Sequence, residues 1–120
     1  MPTDPQIEER MPVWEALSEF FLDTELQPDD HERIARCLAA SGYTEKELAG
    51  ILAHEVYPSC KWNMLSPAGE WAGFSREWIQ EKMAPRYDKR PLFHFGLRHR
   101  WMYGDHWEKV RTRIAELRSK

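Results

Sequence analysis

The sequence predicts an all-α fold: a compact bundle of about five helices with a long central loop rich in aromatic residues, glycine and proline. Three observations predict it. Apolar residues recur at three- and four-residue spacing in separate stretches along the chain. Proline, glycine or a capping residue stands at the ends of those stretches. Strand-like alternation is confined to the segment 92–103, and a lone strand would have nothing to pair with, so a helix or an irregular extended segment is expected there.

Residues 1–11 carry Pro2, Pro5 and four charges, and are expected to form a poorly ordered lead-in. The first helix is expected to start near Pro12, a favoured first-turn residue, and to end around 22–24. Val13, Trp14, Leu17, Phe20 and Phe21 give it a heavily aromatic inner face. Gln27-Pro28-Asp29-Asp30 opens the second helix, with proline and acids where a helix N-terminus favours them. Its inward stripe is Ile34, Ala35 and Leu38, with His31 at the margin. Gly42 is expected to end it in the left-handed conformation.

Thr44-Glu45-Lys46-Glu47 is a capping box for the third helix. Leu48, Ile51, Leu52 and Val56 form its stripe, and Pro58 is expected to stop it. In 57–74, Tyr57, Trp62, Met64, Leu65, Trp71 and Phe74 alternate with Pro58, Pro67, Gly69 and Gly73. A loop so aromatic should pack on the core or on a partner. Ser75 caps a fourth helix that reaches Met83, with Trp78, Ile79 and Met83 inward and Pro85 ending it. Residues 86–91 read as a solvated loop. Asp105 and Glu108 start the last helix, whose stripe is Trp107, Val110, Ile114 and Leu117.

A chain of 120 residues that is 42% hydrophobic suits a single domain, here 12–120, with a core of its own. No apolar run approaches the ~20 residues of a membrane helix. The first ten residues are polar and acidic, unlike a secretory signal. Cys37 and Cys60 read as reduced thiols rather than as a disulfide framework. These points together imply a cytoplasmic protein. Charge is unevenly divided: residues 1–60 sum to −9 and residues 61–120 to +6. Either the two halves attract each other within the fold, or one presents its charge to a partner.

Catalytic and cofactor motifs do not emerge, and an enzyme is not expected. The spacings of His31, His54, His94, His99 and His106 match no compact metal motif, so neither a metal nor another cofactor is implied. No Gly-x-Ser-x-Gly is present, and Gly69-Glu70-Trp71-Ala72-Gly73 is not a phosphate loop. Glu55 and Glu70 stand out because apolar residues surround them; a pocket holding either beside a histidine would point to a small enzyme. Nucleic-acid binding is the better alternative, through Arg98, His99, Arg100, Trp101, Lys109, Arg111, Arg113, Arg118 and Lys120. Protein binding accounts for more. The acidic turn Glu19, Asp23, Glu25, Asp29 and Asp30, with Trp62, Glu70 and Trp71 from the central loop, forms the candidate partner-binding set.

Three stretches carry a resemblance. They are Pro12-Val13-Trp14-Glu15-Ala16-Leu17 continuing to Leu22-Asp23-Thr24-Glu25-Leu26, then Arg33-Ile34-Ala35-Arg36 with Glu55-Val56-Tyr57-Pro58, then Ala68-Gly69-Glu70-Trp71-Ala72-Gly73-Phe74 followed by Trp78. Together they resemble a family of short bacterial cytoplasmic proteins of uncharacterised function, over roughly residues 12–80. The Gly-Glu-Trp-Ala-Gly-Phe run is its most specific part, and the basic C-terminal third lies outside it. The resemblance implies a bacterial cytoplasmic domain and supplies no catalytic residue. In size and character such proteins are similar to immunity proteins, which implies a cognate toxin as the protein partner.

Overall fold

In the computed structural model, which describes residues 3–21, 26–60, 75–87 and 104–119, the first helix begins well before Pro12. Helix α1 spans Asp4–Ser18, and a short 3-10 turn, Glu19–Phe21, extends it. Its start is chemically specified. The Thr3 hydroxyl accepts the Gln6 N–H at 3.4 Å, and Gln6 Oε1 accepts the Thr3 N–H at 2.8 Å. This is a capping box, and Pro5 occupies the first turn, where its missing N–H costs nothing. The expected lead-in is therefore helical from Asp4, and Ile7, Arg10 and Met11 are buried. Pro12 lies inside α1 and only removes one donor from its hydrogen-bond ladder.

Helix α2 spans Pro28–Ala40 and opens as expected, with the Asp30 carboxylate accepting the Gln27 N–H at 2.9 Å. Its end differs from expectation. Ser41 is extended and Gly42 is not left-handed. Arg118, from the far end of the chain, takes the capping role instead. Its guanidinium donates to the carbonyls of Leu38 at 3.2 Å, Ser41 at 3.2 Å and Tyr43 at 2.7 Å. A cation at this end satisfies orphan acceptors and complements the helix dipole.

Helix α3, Glu45–Ile51, starts at the Thr44 capping box and then widens into a π-helical turn, Leu52–Val56. Helical backbone resumes over 57–60, so Pro58 does not stop it. The widened turn accounts for this. Tyr57 N–H bonds the Leu52 carbonyl, five residues back, and this register eases the clash a proline ring makes with the carbonyl four residues before it. Helix α4, Arg76–Met83, is capped by Ser75 and followed by a 3-10 turn, Ala84–Arg86. Helix α5 spans Gly104–Arg118. Among the described residues there is no strand, and the five helices form an all-α bundle.

Helix α1 is the hub. It packs on α2, on the π turn and on α4, while α2 and α5 share the most extensive helix–helix contact. The core contains Trp14, Leu17, Phe21, Ile34, Leu38, Leu48, Leu52, Val56, Ile79, Met83 and Ile114, each fully buried. The expected stripes are thus confirmed, with Leu117 and Trp78 half-buried at the margin. Cys37 and Cys60 are free thiols. No described helix is long and apolar enough to cross a membrane.

Candidate functional site

Two polar arrangements rise above ordinary packing. The first is buried. Glu55 sits in the π turn and is 2% exposed; Arg10 of α1 is 4% exposed. Arg10 Nη1 donates to both Glu55 oxygens, at 2.7 and 2.6 Å, and Trp14 Nε1 donates to Glu55 Oε1 at 2.8 Å. Arg10 Nε donates to the Tyr43 hydroxyl at 3.1 Å. The guanidinium also lies over the Tyr87 ring, 4.0 Å from its centroid, and Trp14 meets that ring edge-on. Burial alone would lower the arginine's pKa; the hydrogen bonds to Tyr43 and Glu55 outweigh it, and the net shift is upward. A charge this deep persists because it is paired and hydrogen-bonded. The cluster locks α1, the π turn and the two flanking tyrosines into one geometry. Glu55 lines neither the groove beside Ile7 and Met11 nor the one beside His31.

The second arrangement lies between α2 and α5. His31 Nε2 and His106 Nδ1 are 3.0 Å apart, and the His106 ring stacks on Phe20 with centroids 5.7 Å apart. Both imidazoles are held below their ordinary pKa. Burial is the main cause in each; nearby Lys109 also lowers His31, and His31 itself then lowers His106. His31 opens onto a groove of about 440 Å³ lined also by Leu26, Gln27, Pro28, Glu32, Lys109 and Arg113.

The residues expected to bind a partner divide. Glu19 is held by a two-pronged pair with Arg33, both contacts 2.6 Å. Asp30 caps α2 and also meets Arg33, at 3.2 Å. Asp29 is exposed on the first turn of α2 and makes no ion pair among the described residues. Asp23, Glu25, Trp62, Glu70 and Trp71 lie outside the described residues, as do 92–103 and the central loop from 61 to 74.

The basic helix is engaged partly with the acidic half of its own chain and partly with its own carboxylates. Arg113 pairs with Glu32 at 2.7 Å and with Glu116 at 3.0 Å. Arg111 pairs with Glu108 at 2.6 Å and approaches Glu45 at 3.9 Å. Arg118 caps α2. The charge division seen in the sequence is therefore answered, at these positions, inside the fold.

Sequence reasoning passed over Arg10, Tyr43 and Tyr87. For Arg10 a signal existed: Thr3-x-x-Gln6 is a capping box, and Ile7, Met11 and Trp14 follow at helical spacing. For the meeting of His31 with His106 none existed.

A family model described as a domain of unknown function (DUF7079) matches residues 8–120. The chain belongs to the DUF7079 family. No curated protein matches it, and no solved structure does. The DUF7079 match takes in Arg10, Glu55 and both histidines, and it extends over the basic C-terminal third, beyond the 12–80 span of the resemblance. An uncharacterised family was expected, and DUF7079 is one.

Proposed function

We propose that this DUF7079 domain acts by binding another protein, as a bacterial cytoplasmic immunity protein that occludes the active site of a toxin, without catalysis of its own. One observation carries the preference over nucleic-acid binding. Arg111, Arg113 and Arg118 face carboxylates and carbonyls of their own chain, whereas Asp29 points outward without an ion pair among the described residues. A negatively charged helix start beside a groove suits a partner whose functional surface is cationic, as the clefts of nucleic-acid-cleaving enzymes are. Asp23 and Glu25 stand in the same stretch of sequence and extend its negative character.

The test is native purification of the tagged chain from its host. A stoichiometric protein partner is the expected result. Association should slow by about tenfold or more at low salt when Asp23, Glu25 and Asp29 are changed together to lysine. Recovery of nucleic acid with steep salt dependence would reverse the conclusion in favour of the alternative reading. An unchanged association rate would remove the acidic surface from it.

A further inference from the structure

We infer that His31 and His106 form a two-imidazole chelating site for a late first-row divalent ion, Cu(II) or Ni(II). The residues are 75 positions apart and meet because α2 packs along α5. The spacing is compatible with such an ion. Imidazole nitrogen binds such ions at ~2.0–2.1 Å, so an ion equidistant from two nitrogens 3.0 Å apart would subtend roughly 91–97° between them. That is the angle between neighbouring ligands of a square-planar or tetragonal ion. Square-planar and tetragonal nitrogen sites suit Cu(II) and Ni(II), and copper stands at the top of the affinity order.

The surroundings suit the role. The His106 ring is held against Phe20, with the planes inclined by 23°. Without an ion the two facing nitrogens share one hydrogen; with one, both offer lone pairs, that hydrogen moves to the outer nitrogen of its own ring, and no net proton is released. The groove beside His31 admits water on that side of the pair. Asp30 and Asp105 favour the incoming charge and Lys109 opposes it, while Glu32 and Arg113 pair with each other. Among the described residues no set of three His, Cys, Asp or Glu converges. The inferred site is thus open and exchangeable, unlike a closed structural one.

The test is titration of the whole chain with Cu(II), followed by electron paramagnetic resonance. One bound ion with nitrogen couplings from two imidazoles is expected. His31→Gln and His106→Gln should each leave one imidazole and weaken binding by more than the ~10–100-fold that loss of an outer support costs. Saturating Cu(II) should raise the melting temperature of the wild type, because the ion ties α2 to α5 only in the folded chain, and should leave the double variant unmoved. Nuclear magnetic resonance of the unaltered chain gives a reading independent of variant folding: substoichiometric Cu(II) should broaden the rings of His31 and His106 first. Copper bound by one imidazole or none, broadening centred on His54, His94 or His99, or a wild-type spectrum in a folded double variant would overturn the inference.

Discussion

Glu55→Gln is the sharpest perturbation of the buried cluster, because it removes a charge and almost no volume. In the native chain both carboxylate oxygens accept from Arg10 Nη1, and one also accepts from Trp14 Nε1. The side chains of Arg10 and Glu55 are 5% and 3% exposed, so water offers little screening or replacement. The substituted amide would still accept from Trp14, but Arg10 would lose the Glu55 charge. Breaking one side of such a buried pair costs about 3–5 kcal/mol. Against a total stability of roughly 5–15 kcal/mol, that is a large share. For a domain of this size it corresponds to a fall in melting temperature of roughly 10–20 °C. Arg10→Met should cost a similar amount by taking the Arg10 guanidinium from the carboxylate. Combining the two removes both charges and keeps the Trp14 acceptor. The double variant should therefore be more stable than the sum of the singles by about 2 kcal/mol or more. Urea denaturation of all four chains measures this cycle. A Glu55→Gln cost below about 1 kcal/mol, the scale of an exposed ion pair, would refute the reasoning, as would additive single effects.

Arg118→Ala should remove the tertiary cap of α2 and cost ~0.5–1 kcal/mol in urea denaturation, and Arg118→Lys should recover only part, since an ammonium cannot span several carbonyls. Cys60 is fully buried, which pushes its thiol up to about 12, so iodoacetamide at pH 8 should label it only after unfolding. Cys37 is half-buried and its thiol is raised by burial, then by Glu15 and Glu19; it should react slowly in the native chain, and equal rapid labelling of both would contradict the packing. The Thr44 backbone N–H holds Glu47 below its ordinary carboxylate value of 4.5, and the Arg113 hydrogen bond does the same for Glu32. A depressed folded-state pKa contributes stability above the unfolded value and loses it as pH falls through the folded one. The urea midpoint should therefore drop from pH 5 towards pH 3, and a Glu32→Gln/Glu47→Gln chain should drop less.

Much of the helical plan is legible because its signals are local. The Thr44 capping box, Pro28 in the first turn of α2 and the Ser75 cap of α4 each act over three or four residues, and each stands where the sequence places it. The ends that differ are those where a local signal meets a competing one. Gly42 is the natural terminator of α2, yet Arg118 supplies donors to those carbonyls and no left-handed residue is required. Pro58 is a natural stop, yet the π turn accommodates it. Pro12 has the character of a helix start, yet the capping box at Thr3 begins the helix eight residues earlier, at Asp4.

The candidate sites show the same division. Glu55 stands out in the sequence because it follows Leu48, Ile51 and Leu52 on one helical face, so a buried carboxylate is readable there. Its partner is not. Arg10 is 45 residues away, and their meeting depends on how α1 crosses the widened turn of α3. The charge imbalance is equally plain in the sequence, but composition does not distinguish a basic face open to phosphate from one paired with its own acids. Packing of α5 along α2 decides that Arg113 meets Glu32 and His106 meets His31. By itself, the sequence determined the all-helical class, most of the core stripes and most of the caps, since spacing and hydrogen bonding within a turn specify them. Only the tertiary structure decided which charges and imidazoles face each other, because contacts over 45 to 81 residues depend on helix crossing and on one widened turn, and neither leaves a periodic trace in the chain.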